Sequence, residues 1–215
     1  MMASALRASD VAALRGGAEV HVWLVKIGNA GAAEILSSQE RLDATRFRIS
    51  ADRQRYVVTR TTLRVLLGCY TGIEPHALAI TGGAGQKPAL ADRAVEFNVS
   101  HSGAWAALAF SGGPPVGIDI EEVRPLPEYR DLIRHFCSPN ERAHITTLPE
   151  FFRLWTRKEA LLKGIGKGLS QPLEEYDVLD ASPLDNWTLT DLAAPEGYYA
   201  AVAVFGAAEI RVFRM

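Results

Sequence analysis

The feature that most constrains the fold is a short segment, V-G-I-D-I-E, at residues 116–121. Its apolar side chains recur at every second position, which is the period of a β-strand with one buried face. Because side chains two residues apart share a strand face, Asp119 and Glu121 project together, with Cβ atoms roughly 6.5–7 Å apart. Two carboxylates at this spacing predict either a solvated strand face or two ligands for a divalent cation such as Mg²⁺.

A second polar pair lies in W-T-R-K-E-A-L-L-K, about forty residues later. Strong helix formers without an internal proline predict a helix over Phe151–Ile165. Glu159 and Lys163 are four residues apart and therefore lie on one helix face. An exposed Glu–Lys pair contributes only about 0.3–0.5 kcal/mol and does not by itself indicate a site. The glycine-rich run Gly164–Leu169 behind the helix favours a loop whose backbone can approach a ligand closely.

The order of predicted elements divides the chain into two halves. The first has a strand at Glu19–Ile27, a helical region at Ser37–Tyr70, and strands at Val95–Val99 and Trp105–Phe110. The second has a strand at Val116–Val123, helices within Pro127–Ile165, and strands at Tyr176–Leu179, Trp187–Leu189, Tyr198–Phe205 and Ile210–Phe213. We therefore predict an α+β fold of two similar lobes, residues 1–110 and 116–215, with pseudo-twofold symmetry, a hinge at 111–115 and the active site in the cleft between the lobes.

Composition limits the classes of protein that this chain can belong to. A net charge of −2 argues against binding nucleic acid through bulk electrostatics. The N-terminal residues lack the apolar run of a signal peptide, and no stretch approaches the ~18 apolar residues of a membrane span. The two cysteines are too few for a disulfide framework or a metal cluster. These observations predict a soluble, cytoplasmic protein with no nucleic-acid or membrane partner, and we expect a monomer.

Two further clusters are candidates for binding an anion. Lys87 and Pro88 follow the glycine-rich segment Gly82–Gly85, although an isolated loop lysine is usually only solvated. In F-N-V-S-H-S-G, residues 97–103, the strand period predicts that Asn98 and Ser100 face away from the core. His101 is then either a satisfied core histidine or, if the strand ends there, a side chain free to reach a phosphate.

The predicted helical region of the first half is rich in arginine. Arginine-rich amphipathic helices mostly present solvated faces, so we expect only one or two of these side chains to contact a ligand. The arginines are Arg41, Arg46, Arg48, Arg53, Arg55, Arg60 and Arg64.

Taken in order, these motifs resemble those of the larger 4′-phosphopantetheinyl transferases, whose founding example serves surfactin synthesis. The matching segments are S-Q-E-R at 38–41, K-P at 87–88, F-N-V-S-H-S at 97–102, V-G-I-D-I-E at 116–121 and W-T-R-K-E-A-L-L-K-G-I-G-K-G-L at 155–169. The length of the chain fits the pseudo-dimeric larger type rather than the short trimeric carrier-protein synthases.

The resemblance implies transfer of the 4′-phosphopantetheine arm of coenzyme A to a serine of an apo acyl or peptidyl carrier protein, with release of adenosine 3′,5′-bisphosphate. It also implies roles for individual residues. Residues matching the acidic ligands of Mg²⁺, with Mn²⁺ as the alternative ion, are Asp119, Glu121 and Glu159, followed one turn later by Lys163. Residues matching coenzyme A contacts are Arg41 for the 3′-phosphate, Lys87 and Pro88 for the phosphate or adenine side, Asn98, Ser100 and His101 near the phosphates, and Arg55, which is placed by spacing only.

The chemistry of phosphoryl transfer fits these residue types. Attack of a hydroxyl on a pyrophosphate requires charge neutralisation, which a divalent ion between carboxylates supplies. Glu159 is the predicted base for the serine proton, directly or through a metal-bound water. Lys163 is predicted to stabilise the leaving phosphate or to donate a proton to it.

Two other functions remain open from the residues alone. An acidic strand followed by E-x-x-x-K also resembles the site of a metal-dependent nuclease, although that reading leaves the Lys-Pro and Ser-His segments unexplained. A non-catalytic module that binds coenzyme A or a carrier protein is the second alternative.

Overall fold

The structure is a computed structural model, which describes residues 6–17, 19–28, 32–82, 87–166, 173–179 and 186–215. Most of the glycine-rich segment Gly82–Gly85 and the end of the run Gly164–Leu169 lie outside the described residues, so their predicted proximity to a ligand stays a prediction. The helices are α1 (Ala8–Arg15), α2 (Ser38–Thr45), α3 (Ser50–Thr71), α4 (Tyr129–Phe136), α5 (Pro139–His144) and α6 (Leu148–Ile165). The strands are β1 (Glu19–Lys26), β2 (Ile80–Thr81), β3 (Ala89–Leu90), β4 (Glu96–Ser102), β5 (Trp105–Ser111), β6 (Val116–Glu122), β7 (Trp187–Asp191), β8 (Tyr198–Phe205) and β9 (Glu209–Arg214).

The first lobe is a four-stranded sheet with helix α3 packed on one face. The strand order is β4-β5-β1-β9, and β4 and β5 form an antiparallel hairpin in which Phe97 lies opposite Phe110. Helix α3 contributes Leu63, Leu66 and Leu67 to the core beneath the sheet. These residues recur at intervals of three and four, which places them on one helix face.

The second lobe is a three-stranded antiparallel sheet covered by α6. Its strand order is β6-β8-β7, and α6 is capped at its start by Thr147, which accepts a hydrogen bond from the Glu150 N–H group. Phe151, Leu154 and Leu161 are buried on the helix face that meets the sheet.

An apolar core between the two sheets joins the lobes. Val22 of β1 and Ala109 of β5 pack in one cluster with Ile118 of β6 and Val202 of β8, and all four side chains are fully buried. The alternating apolar residues of 116–121 therefore face the core between the sheets, while Asp119 and Glu121 lie on the opposite face of β6, which packs against α6. This arrangement confirms the predicted α+β fold of two lobes.

The sheet topology differs from the prediction at the C-terminal end of the chain. The sequence predicts that residues 116–215 form the second lobe, but β9 pairs in parallel with β1 in the first sheet. The last strand therefore crosses back to the first lobe, an exchange that sequence periodicity does not reveal. The assignment of the hinge to residues 111–115 stays a prediction.

The strand predicted at Tyr176–Leu179 is wrong. These residues have irregular backbone, and the backbone groups of Val178 are bound by side chains instead of a neighbouring strand. The Val178 N–H group donates to Glu141 at 2.9 Å, and the Val178 carbonyl accepts from Arg157 at 2.7 Å. Helix α1 was not predicted, and the helical region Ser37–Tyr70 is divided into α2 and α3.

Candidate active site

Close packing of α6 on β6 brings the two polar pairs of the sequence together. A Cβ atom at Gly117 would lie 2.0 Å from the Ala160 carbonyl oxygen and 2.3 Å from the Gly164 nitrogen. Only glycine at position 117 permits this distance between strand and helix. As a result, Glu159 and Lys163 line the same cleft as Asp119 and Glu121.

Asp119 is the buried centre of the cluster. Its Oδ1 atom accepts hydrogen bonds from Ser100 Oγ and from Lys163 Nζ, each at 2.6 Å. Lys163 Nζ also donates to Ser100 Oγ at 3.0 Å. The Oδ2 atom is buried and has no hydrogen-bond partner among the described residues. Because an unpaired buried carboxylate oxygen is costly, this atom points to a missing ligand.

Glu121 is held by two side chains that the sequence analysis did not single out. Ser102 Oγ donates to Glu121 Oε2 at 2.8 Å, and Arg124 lies 3.5 Å from the same oxygen. The strand period could have identified Ser102, because it continues the face that carries Asn98 and Ser100.

The environment raises the pKa of each of the three carboxyl groups. Burial is the main cause for Asp119, where Lys163 and Ser100 oppose it. Burial also raises the pKa of Glu121, with a further contribution from the Asp119 charge. For Glu159 burial acts first, the nearby Lys163 lowers the pKa, and the charges of Asp119 and Glu121 raise it. The cluster therefore favours either protonation or a bound cation.

The cleft lies between the lobes and encloses about 360 Å³. One wall comes from the first lobe and the other from β6 and α6. The lining residues are Tyr56, Thr59, Arg60, Pro88, Val99, Ser100, His101, Asp119, Glu121, Glu159 and Lys163. A second cleft of about 530 Å³ shares Tyr56, Arg60 and Pro88 with the first and extends to Arg46 and Phe47. Tyr56 and Arg60 are further lining residues that the sequence analysis did not single out for a ligand.

Of the residues predicted to lie near the phosphates, Ser100 and His101 line the cleft, whereas Asn98 is buried and bound to β6. His101 and Ser100 line the cleft, together with Pro88. The His101 side chain is open to solvent, yet the surrounding protein atoms lower its pKa by desolvation, with smaller effects of the Arg55 and Lys163 charges. Asn98 is buried, and its Oδ1 atom accepts the Ile118 N–H group at 2.9 Å.

The three predicted basic contacts are all engaged with protein atoms. Lys87 Nζ donates to the Val116 carbonyl at 2.8 Å, and burial lowers the pKa of Lys87. Arg55 donates to the Gly103 carbonyl at 3.0 Å, and Arg41 donates to the Leu36 carbonyl. Their roles toward coenzyme A stay predictions.

The residues present fit a hard divalent cation. Within the described ranges, no three His, Cys, Asp or Glu side chains form a preassembled metal cluster. The donor set of the cleft nevertheless consists of carboxylate oxygens, the ligands that Mg²⁺ takes in proteins. The buried Oδ2 atom of Asp119 is an acceptor that such an ion would satisfy.

No helix in the described part of the chain combines the length and apolar character that a membrane span requires.

In comparison with known proteins, two family models match successive parts of the chain. A family model described as "4′-phosphopantetheinyl transferase superfamily" matches residues 115–202, and one described as "4′-phosphopantetheinyl transferase, N-terminal" matches residues 28–112. The 4′-phosphopantetheinyl transferase HetI of Nostoc sp. is 35% identical over 212 residues, and the match covers 87% of this chain and 88% of the relative.

Two other curated relatives match shorter stretches. The 4′-phosphopantetheinyl transferase Sfp of Bacillus subtilis is 29% identical over 150 residues, and the match covers 66% of each chain. The 4′-phosphopantetheinyl transferase AcpT of Salmonella typhi is 37% identical over 109 residues, and the match covers 48% of this chain and 56% of the relative.

Proposed function

Since this chain belongs to the 4′-phosphopantetheinyl transferase superfamily and is an enzyme of that class, we propose that it moves the phosphopantetheine arm of coenzyme A to a serine hydroxyl of an apo acyl or peptidyl carrier protein. The observation that carries this proposal is the unpartnered Oδ2 atom of Asp119, in a cleft where Glu121, Glu159 and Lys163 meet His101 of the other lobe. Membership of the family removes the nuclease and the non-catalytic module as competing functions.

In the proposed reaction, the serine oxygen forms a bond to the β-phosphorus of coenzyme A. The bond between this phosphorus and the bridging oxygen breaks, and adenosine 3′,5′-bisphosphate leaves. Glu159, which lines the cleft together with Lys163, takes the serine proton directly or through a water molecule. Lys163 offers an ammonium group to the charge that develops on the phosphates.

Asp119, Glu121 and Glu159 would hold the Mg²⁺ ion, with Mn²⁺ as the alternative. When bound, the ion supplies charge neutralisation of the pyrophosphate. Ser100 and Lys163 keep one oxygen of Asp119 fixed, so that the carboxylate is oriented before the substrate enters.

The second cleft has room for the nucleotide end of coenzyme A. Arg46 and Arg60 supply positive charge there for the 3′-phosphate, in addition to the predicted Arg41. Phe47 and Tyr56, whose ring centroids are 5.2 Å apart, supply an aromatic surface for the adenine.

We expect substitution of His101 or Lys87 to raise the KM for coenzyme A at least as much as it lowers kcat.

Intact mass spectrometry tests the proposal. The protein is incubated with coenzyme A, Mg²⁺ and a panel of apo carrier proteins from fatty acid, polyketide and nonribosomal peptide synthesis. A carrier should gain the mass of one phosphopantetheine arm, and replacing its acceptor serine with alanine should abolish the gain. Unchanged masses across the whole panel would contradict the proposed activity.

A further inference from the structure

The cleft lies between two edge strands that are joined by side chains. Within the described residues, β4 ends the first sheet and β6 ends the second. The edge of β6 that pairs with no described strand is hydrogen-bonded by polar side chains of the first lobe. The Ile118 N–H group donates to Asn98 at 2.9 Å and the Glu122 N–H group donates to Ser102 at 3.1 Å.

Each of two serines of β4 donates a hydrogen bond to one of the two carboxylates of β6. Ser100 donates to one oxygen of Asp119, and Ser102 donates to one oxygen of Glu121. Oδ2 of Asp119 has no hydrogen-bond partner in the described part of the chain. For Glu121, the hydrogen bond from Ser102 and the contact with Arg124 both go to Oε2. In each carboxylate, therefore, one oxygen is fixed by a serine and the other is left for a ligand.

The position of Ser102 is itself fixed from two sides. Its oxygen accepts the Glu122 N–H group, so its single hydroxyl proton is directed to Glu121. The turn that follows is bound to the second lobe, because the Ala104 N–H group donates to the Tyr198 hydroxyl at 3.0 Å. Gly103 has a positive φ of 52°, and a Cβ atom there would lie 2.3 Å from that hydroxyl. The Ser102 hydroxyl is therefore held in one orientation and is not free to rotate into solvent.

We infer that Ser102 is a positioning residue, which holds Oε2 of Glu121 and so presents Oε1 of the same carboxylate to the cation in the cleft. The inference rests on the proposed function, since Glu121 is assigned there as a ligand of Mg²⁺. Ser102 is not among the residues that line the cleft. Its effect is expected through Glu121, as for residues that orient metal ligands in other proteins.

Direct titration of the full-length protein with Mn²⁺, followed by electron paramagnetic resonance without coenzyme A or carrier, tests this role. Ser102→Ala should weaken Mn²⁺ binding roughly 10–100-fold, the usual effect of losing a group that orients a ligand. Ser102→Thr, which keeps the hydroxyl, should bind nearly as well as the wild type. The matched control is Ser111→Ala, which removes a buried serine hydroxyl of the same sheet that bonds Gly113 instead of a β6 residue.

A double-mutant cycle separates positioning from a general loss of stability. If Ser102 acts through Glu121, Ser102→Ala should weaken Mn²⁺ binding much less in a Glu121→Gln background than in the wild type. Should Ser102→Ala fail to fold, Ser102→Cys keeps the volume but has only a weak S–H donor, and it should show the same weakened binding. In transfer assays, Ser102→Ala should raise the Mg²⁺ requirement and leave the KM for coenzyme A at saturating Mg²⁺ unchanged.

Equal Mn²⁺ affinity in the wild type and Ser102→Ala would overturn the inference, as would independent effects of the Ser102 and Glu121 substitutions. A wild-type protein that binds no Mn²⁺ would overturn the role of Ser102 together with the proposed metal site. Weakened Mn²⁺ binding by Ser102→Ala, in a protein that modifies no carrier, would support the role of Ser102 and contradict only the proposed transfer.

Discussion

Glu159 and Glu150 lie on the same helix, yet their surroundings move their pKa values in opposite directions. Burial and the charges of Asp119 and Glu121 raise the pKa of Glu159 above its ordinary value of 4.5. Hydrogen bonds from Thr146 and Thr147 lower the pKa of Glu150 to about 2. Ionisation therefore destabilises the folded protein at Glu159 and stabilises it at Glu150. The residue in the cleft carries a stability cost that its proposed role as a base explains.

Replacing each glutamate with glutamine should consequently have opposite effects on the Tm at neutral pH. We expect Glu159→Gln to raise the Tm of the metal-free protein, because it removes a charge whose formation in the cleft is unfavourable. It should also abolish transfer while coenzyme A binding largely survives. Glu150→Gln should lower the Tm and leave transfer intact. Calorimetry, ligand titration and the mass assay measure the three quantities.

The opposite effects of Glu159 and Glu150 on stability can also be tested by varying the pH. The folded-state pKa of Glu159 is raised, so its destabilising effect is present above that pKa and disappears as the group is protonated. The advantage of Glu159→Gln should therefore shrink as the pH falls toward 4.5. The stabilising effect of Glu150 is present above its unfolded-state pKa and is lost as the pH falls toward 2. A Tm difference for Glu159→Gln that grows on acidification would contradict this account.

At the scale of elements, the distance between α6 and β6 decides whether a site exists. The pattern of 116–121 predicts the strand, and the spacing of Glu159 and Lys163 predicts a shared helix face. Neither pattern predicts that the two elements touch. That contact depends on the absence of a side chain at Gly117, against which the Ala160 carbonyl and Gly164 pack.

A methyl group at Gly117 should separate the two elements. Gly117→Ala places a carbon 2.0 Å from the Ala160 carbonyl oxygen, a distance that forces the helix to move. We expect a loss of about 1–3 kcal/mol in unfolding free energy, as for other overpacked sites. Transfer should fall roughly 100-fold, because small displacements of reacting groups are costly. Urea denaturation and the mass assay measure the two effects.

Gly113→Ala is the matched control for this substitution. A Cβ atom at Gly113 meets no atom within 4 Å, and its backbone does not have the positive φ that favours glycine. Its stability and its transfer rate should remain close to those of the wild type. Equal losses at positions 113 and 117 would show that glycine flexibility, rather than packing on α6, is what matters.

At the scale of the whole molecule, two features make the lobes depend on each other. The apolar cluster around Val22, Ile118 and Val202 belongs to both sheets. The C-terminal strand β9 pairs with β1, and its Phe213 stacks on Trp23 with ring centroids 4.4 Å apart. We therefore expect both lobes to unfold in one cooperative transition, which hydrogen exchange of peptides from β5 and β8 in a urea series would show.

Phe213→Ala should destabilise the two lobes together. The expected loss is about 1–3 kcal/mol, below the range for a fully buried phenylalanine because Phe213 is only half-buried. Phe205→Ala removes a more exposed ring of β8 and should cost less. Protection lost only in the peptides of the first lobe would show that the lobes unfold separately.

Local sequence patterns predict the elements with strong periodicity and the residue types of the cleft. Alternation over 116–121 is a local property of the backbone, and it placed Asp119 and Glu121 on one face. It did not determine the irregular segment at residues 176–179, because the buried Glu141 and Arg157 side chains, rather than a neighbouring strand, bind its backbone.

Tertiary structure alone decided how these local elements meet. It brought Ser102 to Glu121 and Lys163 to Asp119, and it returned β9 to the first lobe. Such contacts depend on packing between segments that are far apart in the chain, and no local period encodes their distance. The sequence therefore determined which groups are available for phosphoryl transfer, while the packing of β4, β6 and α6 decided which oxygen atoms are fixed and which are left for a ligand.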